Sequence, residues 1–556
     1  MSTTTKLGNI EETPSPSASS ASSSRPSIAT LLCFSALTLS IFLVALDTVL
    51  IPTALPSISL DFNIPDSLYA WMGSAYLLSN GASIPFWGKL SDVFGRKPII
   101  LISNSIFLLG SIICAVSGSA TTLVAGRTVQ GLGGGGVNVL VYVCVADMFA
   151  IRDRSFYMGI VGAMYAVASA LGPVLGGVFA EKATWRCCFY INIPLVSIAI
   201  ITLYFTVHLH DPRTPFLRGM KTLDWTGTLT ILLATLLLLI GLQFGGESDY
   251  AQPIVITFLV IGVVLYIAFP FTQRWEEKRG GSPIMPLRIF RDLSNLSALG
   301  VCACDALVFN SVAYFLPLYF QLVGDMSPEK SGVLMLAVAV PLALVSFLGG
   351  WIINKTGRYL EVLQAGLALM TVGIGLLITF SASLDVGKII GFLVIIGIGF
   401  GPNFHAPLIA LQTRIQEADI GSGTSAFGFV RMIGGAIGVV VGQVVFQLLM
   451  QPHFDSFLDA GITYDFAVAI AGGQSISKAD QVSRLPESQR LVVKSGMADA
   501  LKGVWIVYTV VSGLGLLISF GIARKKLETK SNESSVVQDP EVNMAEGATV
   551  IPRSEK

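Results

Sequence analysis

The sequence predicts an all-α membrane protein of fourteen spanning helices, set out as two pseudo-symmetric six-helix halves with two further helices inserted between them. Three observations predict it. Of 556 residues, 53% are hydrophobic and only 13% charged, with a mean hydropathy of +0.71, whereas soluble domains carry about 25% charged residues. The apolar residues gather into long runs, and a bilayer crossing takes ~20 of them. The basic residues then fall on alternate loops. Together these exclude a soluble enzyme, a secreted disulfide scaffold and a disordered chain.

The elements follow in order. Residues 1–28 are rich in Ser, Thr and Pro, too polar to bury a core and expected to be a disordered cytoplasmic tail. They lack the charged n-region leading into an apolar core that a cleaved signal peptide needs. Apolar runs then lie near 29–58, 67–88, 98–117, 121–147, 156–180 and 188–208, giving an N-terminal half over 29–210. Runs at 223–244 and 253–272 form the inserted pair within 222–272. Runs near 296–323, 329–353, 360–381, 387–412, 421–449 and 502–523 form a second half over 293–523, interrupted by an extracytoplasmic loop at 450–501. Residues 524–556 are again polar and expected to be disordered in the cytoplasm.

Backbone crossing hydrocarbon must be helical or closed into a barrel. With the N-terminus inside, the inner loops and tail hold 20 Lys and Arg residues, while the short outer loops hold only Lys182, Arg186, Lys330 and Lys388. Such an asymmetry places both termini in the cytosol. Three Asn-X-Ser/Thr sequons begin at Asn295, Asn354 and Asn532. All fall on the inner side, so no N-glycan is expected. The seven Cys lie in or beside apolar runs with no metal-type spacing to His, as small buried hydrophobes do. No metal and no cofactor is predicted. Thirty-five basic residues balance thirty-five acidic ones, so nucleic acid is not an expected partner.

The chain repeats itself. Gly88-Lys89-Leu90-Ser91-Asp92-Val93-Phe94-Gly95-Arg96-Lys97 follows the second run, and Gly350-Trp351-Ile352-Ile353-Asn354-Lys355-Thr356-Gly357-Arg358 follows the tenth. Both read G-x-x-x-[D/N]-x-x-G-R, 262 residues apart. Parallel repeats of this kind imply a pseudo-twofold axis along the membrane normal and a substrate site at midplane between the halves.

Charge inside a span is the chemical signal. At the centre of a helix it costs about 2.5–3.5 kcal/mol on insertion scales, so it marks a functional site by default. Arg127 in span 4 stands one turn from Gln130. Asp47 in span 1 and Asp305 in span 9 are acids in otherwise apolar helices, able to take up and release a proton as access alternates, or else to bond a neighbouring helix. Asn310, one turn on from Asp305, and Arg431 in span 13 complete the candidate cavity set. Asn403, His405 and Gln412 in span 12, with Trp71, Tyr76, Phe309 and Tyr314, are further candidates for its walls. Gly131 to Gly136 satisfies G-x-G-x-x-G but lies inside a span with no preceding strand, so no dinucleotide site is read there. No Walker A sequence occurs, which removes ATP as the energy source.

On these motifs the sequence resembles the major facilitator superfamily, and within it the fourteen-span drug:proton antiporters common in fungi. The resemblance covers roughly residues 30–525. Gly88 to Lys97 looks like the family's loop 2–3 motif, and Arg127-Thr128-Val129-Gln130-Gly131 like its helix-4 motif. Gly172-Pro173-Val174-Leu175-Gly176-Gly177 resembles the helix-5 antiporter motif, with Gly159 upstream in register and Ala168 where Gly is usual. Leu46-Asp47-Thr48 through Ala54-Leu55-Pro56 resembles the helix-1 motif, with Val49 and Pro52 departing from the usual Thr and Asn.

The resemblance implies a major facilitator fold, a role for Arg127 in proton coupling and Asp47, inside the helix-1 motif, as the acid of the core machinery, with Asp305, outside the motifs, tuning specificity. It also implies a latch formed by Gly88, Asp92, Gly95 and Arg96, repeated in Gly350, Asn354, Gly357 and Arg358; a plain positive-inside anchor is the alternative. The expected function is proton-coupled efflux of amphipathic small molecules, such as drugs or secondary-metabolite toxins, by alternating access. The expected setting is a monomer in the plasma membrane, with the bilayer, protons and a small-molecule substrate as partners. A vacuolar basic amino acid transporter of the same branch, in the vacuolar membrane, is the alternative reading, and a non-transporting membrane sensor a remote one.

Overall fold

A computed structural model describes residues 26–62, 66–209, 214–247, 250–381, 385–474, 482 and 484–527. The spans are Ile28–Phe62, Asp66–Phe94, Arg96–Ala115, Ala120–Met148, Ile151–Lys182 and Asn192–Thr206, numbered 1 to 6. Trp225–Glu247 and Pro253–Lys278 are spans 7 and 8. Leu293–Leu322, Pro328–Thr356, Tyr359–Leu377, Val386–Asn403 extended by Ala406–Gln412, Ile420–Met450 and Glu487–Ser519 are spans 9 to 14.

Thirteen of these helices are long and apolar enough to cross a bilayer. Span 2 is the fourteenth. Its Ser79, Asn80, Ser83 and Lys89 make it more polar, and it packs against spans 4, 7 and 13, so its polar side meets protein instead of lipid.

Local sequence sets the helix ends. Ser119 and Asp292 cap spans 4 and 9 by accepting from Thr122 N at 3.2 Å and Ser294 N at 2.7 Å, and Pro253 opens span 8 where its missing N–H costs nothing. Gly95 and Gly357, the eighth residues of the two motif copies, have φ of +93° and +71°. Only glycine takes that backbone conformation without strain, so each motif needs its second glycine to make the turn into the next span.

Spans 1–6 pack on one another, spans 9–14 on one another, and spans 7 and 8 mainly on each other. The halves meet where span 5 crosses span 10 and span 2 crosses span 13. The motif repeat maps span 2 onto span 10, hence span 5 onto span 13, and the two crossings exchange under it. That is the signature of a twofold axis. The end bearing both described chain ends and the two motif copies is called the inner end below.

The polar tail expected from Arg524 is seated as far as Leu527. Leu527 is buried, and its N–H donates to Gly357 O at 3.0 Å. An apolar side chain and a paired backbone group hold this short stretch down. The rest of that tail and residues 1–25 lie outside the described residues.

Candidate functional site

Five helices of the first half converge on one polar knot. Arg127 Nη1 donates to Asp47 Oδ2 and to Gln130 Oε1, the latter at 2.7 Å. Gln130 Nε2 donates to Asp47 Oδ1 at 2.9 Å and to Ser111 Oγ at 2.9 Å. Asn192 Nδ2 reaches Asp47 Oδ1 at 3.1 Å. Arg127 Nε donates to Met72 O at 3.3 Å, and its guanidinium lies 4.2 Å from the centroid of the Tyr76 ring. All of these side chains except Met72, which contributes its carbonyl, hold polar groups in the knot, and all are buried. Both Asp47 oxygens are satisfied, which is what makes such a buried charge tolerable. The knot joins spans 1, 2, 3, 4 and 6. Close packing brings it together: a Cβ at Gly110 would stand 2.3 Å from Gln130 N.

The second half is built differently. Span 12 breaks between Asn403 and Ala406, flanked by Pro402 and Pro407. Arg431 Nη1 donates to the Phe404 carbonyl freed at this break, at 3.0 Å, and the guanidinium stacks 3.4 Å from the centroid of the Phe404 ring. Asp305 approaches from span 9, its Oδ2 4.0 Å from Arg431 Nη2. That is an ion-pair distance without a hydrogen bond. Asp305 Oδ1, Arg431 Nη2, His405 Nδ1, Asn403 Oδ1 and Gln412 Oε1 are all buried with no hydrogen-bond partner among the described residues.

Native interiors leave few such atoms, and those of Asp305 and Arg431, set against each other beside the break in span 12, are open to a guest. A broken helix at midplane is the usual way a transporter exposes backbone to one. The first half supplies the facing wall. Tyr165 packs 5.4 Å from Phe404 and Tyr142 6.2 Å from His405; within the second half, His405 Nε2 meets Ser346 Oγ of span 10 at 3.1 Å.

The other expected residues are placed as follows. Asn310 bonds back to Ala306 O at 2.9 Å and faces Gly435, apart from the Asp305–Arg431 pair. Phe309 stands 5.9 Å from Phe404, Trp71 packs on Phe244 of span 7, Tyr76 belongs to the first-half knot, and Tyr314 is partly exposed. Gly172 abuts Val49 of span 1, where a Cβ would come within 2.9 Å. Gly176 is buried in span 5, and Gly177 faces open space. The side chains of Pro52, Pro56 and Pro173 lie outside the described residues.

Each motif copy ties its own half to the other at the inner end. Arg96 bridges Asp92 at 2.5 Å and Asp147 at 2.8 Å, while Asp92 Oδ2 accepts from Ser422 Oγ at 3.2 Å at the start of span 13. A carboxylate there also faces the positive end of that helix. In the second copy, Asn354 Nδ2 donates to Asp153 Oδ1 at 2.9 Å, and Arg152 donates to the Asn354 and Lys355 carbonyls at 2.6 and 2.7 Å. The first glycines do the same work. A Cβ at Gly88 would stand 1.6 Å from Ser425 Oγ, and one at Gly350 3.0 Å from the Cα of Gly159.

The segment after span 8 reinforces the first tie. Lys89 Nζ donates to Ser282 Oγ at 2.5 Å, Gln273 links Asp224 and Met285 N at 2.7 and 3.0 Å, and Arg288 pairs with Asp419 at 2.6 and 2.7 Å. These Asp419 bonds hold the Arg288 guanidinium above its ordinary pKa.

Sequence reasoning missed Ser111, Asn192, Asp147, Tyr142 and Tyr165. Asn192 and Ser111 are polar residues in apolar runs and could have been flagged. The tyrosines could not, because their roles depend on how each span is rotated.

Comparison with known proteins agrees with this architecture. The family model described as Major Facilitator Superfamily matches residues 37–439. The chain is 41% identical over 502 residues to "Efflux pump dotC" of Dothistroma septosporum, covering 90% of this chain and 85% of that one. It is 39% identical over 536 residues to "MFS-type transporter ppz2" of Metarhizium majus, covering 93% and 92%. It is 32% identical over 519 residues to "Efflux pump FUS6" of Gibberella fujikuroi, covering 92% of each. Among solved structures, the fold is shared with the human organic anion transporter MFSD10 (TM-score 0.54, 16% identity, 89% and 99% covered). It is shared too with the proton:xylose symporter XylE (TM-score 0.56, 13% identity, 91% and 99% covered).

Proposed function

The chain belongs to the major facilitator superfamily, and from that premise we propose that this multi-pass membrane transporter exports amphipathic small molecules in exchange for protons. The observation that carries the proposal is the Asp305–Arg431 pair. It lies at a broken helix between the halves, with an unpaired oxygen on the acid and an unpaired nitrogen on the base. A carboxylate so placed can hold either a proton or the counter-charge of Arg431. The deprotonated carboxylate holds the polar or cationic tip of the substrate at the inner side, and protonation from the outer side weakens that hold and releases it, so that proton and substrate occupy the site in turn. The aromatic groups around it, Phe404, Phe309, Tyr142 and Tyr165, suit a compound with an apolar body and a polar tip.

In this division of labour the Asp47–Arg127–Gln130 knot is the fulcrum that keeps spans 1, 2, 3, 4 and 6 together as the first half rocks. The two inner-end ties are the contacts that break when the site turns inward. Export is favoured by the names of the relatives, two of which are called efflux pumps. The inward proton gradient supplies the energy: at ~100 mV the potential alone gives ~2.3 kcal/mol per proton.

The test uses purified protein in liposomes loaded with the fluorescent probes rhodamine 123 and ethidium. Dye movement is expected to follow an imposed pH gradient, to stop when a protonophore collapses it, and to be lost in Asp305→Asn. Movement that continues after collapse rules out proton coupling. A fluorescent tag on the chain is expected at the cell surface; a tag on the vacuolar membrane favours the vacuolar reading instead.

A further inference from the structure

We propose that the inner end of the second half carries a pocket for a phosphate-bearing anion, presented by a lipid headgroup of the adjoining leaflet. After span 14 the chain turns back across the start of span 11 and is pinned at three points. Ala523 N donates to Ser294 Oγ at 3.0 Å, Tyr359 Oη donates to Ala523 O at 2.7 Å, and Leu527 N donates to Gly357 O at 3.0 Å. Between the second and third pins, Arg524, Lys525 and Lys526 are held with their side chains exposed. They and Arg358 line a cavity of about 230 Å³ whose remaining wall is the first turn of span 11.

The charge in this cavity is one-sided. Glu361 is its only acid among the described residues and is already paired with Arg524. Arg358, Lys525 and Lys526 make no ion pair among the described residues. Arg358 is also the N-cap of span 11 and gives no side-chain cap, while Glu361 in that first turn accepts from a backbone N–H and is drawn to Arg524 and Arg358 together, which leaves Lys525 and Lys526 as the surplus charge.

The matching recess beside the first motif copy shows what a structural charge cluster looks like. It measures about 360 Å³ and sets Lys89 and Arg288 against Asp92, Glu277 and Asp419. One copy of the motif is balanced internally, and the other has cations to spare. At the mouth of a span, where an inner leaflet rich in anionic lipid lies within a Debye length, a phosphate supplies the missing charge with three or more acceptor oxygens. A headgroup held there braces the tail against Gly357 and Arg358. Through the same motif copy it supports the Asn354 tie to Asp153.

The experiment places the full chain in nanodiscs of phosphatidylcholine alone or with a minority of phosphatidic acid. It reads the melting midpoint and the binding of a fluorescent phosphatidic acid. Phosphatidic acid is expected to raise the midpoint of the native chain. The surface variant Arg358→Gln/Lys525→Gln/Lys526→Gln is expected to fold as well in phosphatidylcholine and to bind about a hundredfold more weakly, the factor that three basic residues near an anionic surface imply. Lys388→Gln, an exposed basic change at the outer end, is expected to bind as the native chain does. Equal binding by the triple variant overturns the pocket. An equal rise in midpoint from free inorganic phosphate in plain phosphatidylcholine overturns the lipid source and assigns a soluble phosphate to the same cations.

Discussion

Asp47 and Asp305 occupy nearly equivalent places in the two halves: they are 258 residues apart where the motif copies are 262 apart, a difference of about one helical turn. Each is buried and each faces an arginine. Around Asp47 the oxygens are taken up by Arg127, Gln130 and Asn192. Around Asp305 one oxygen has no partner, and the arginine is committed to a carbonyl and an aromatic face. The same pair of residue types thus gives a closed network in one half and an open one in the other. A charge whose hydrogen bonds are complete holds helices together; a charge with bonds to spare is available to something that comes and goes.

The comparison breaks most readily at the closed pair. Arg127→Leu leaves Asp47 buried and unpaired, which costs about 3–5 kcal/mol, and is expected to abolish a monodisperse peak in detergent chromatography. Asp305→Asn removes a charge that already lacks full pairing. It is expected to leave the melting midpoint close to native while stopping probe transport. Equal loss of fold in both variants would erase the distinction between the halves.

Next in size are the inner ties. Gly350→Leu drives a side chain into the backbone of Ser155 and Gly159 and is expected to hold the inner ends apart, measured as faster labelling of cysteines introduced at that end. Arg431→Lys keeps the charge but loses the planar stack on Phe404 and the fork of donors. Transport is expected to fall about tenfold, as for one lost charged hydrogen bond of ~1.4 kcal/mol, with folding unchanged. The smallest effect belongs to Arg288→Ala, whose side chain is 53% exposed in its pair with Asp419. Here a shift of no more than about 1 kcal/mol is expected, read as a slight rise in the same labelling rate.

Much of this could be read directly from the chain. Apolar run length located the spans. The repeat of Gly88–Arg96 in Gly350–Arg358 exposed the two halves, because glycine and arginine spacing survives where apolar residues drift. What the chain did not reveal was pairing. Asp47 and Arg127 are 80 residues apart, and nothing in either helix says that Ser111 and Asn192 will turn toward them; that depends on the rotation of five spans, fixed by contacts as close as Gly110 on Gln130. Pro402 and Pro407 break span 12 inside what reads as one apolar run over 387–412, and the consequence, a carbonyl bonded by Arg431 from another helix, is invisible in the length of that run. Asp147 sits at the end of span 4 near Arg152 and Arg154 in sequence, yet pairs with Arg96.

The claim that the open pair in the second half carries the proton is tested most directly without any substrate. Spin labels on the inner ends of spans 3 and 11, in a cysteine-free chain, report the separation of the two halves by double electron–electron resonance in mildly acidic and mildly alkaline buffer. The account predicts two distance populations whose ratio shifts with pH in the native chain, and a single pH-independent ratio in Asp305→Asn. A pH-driven shift that persists in Asp305→Asn would contradict it.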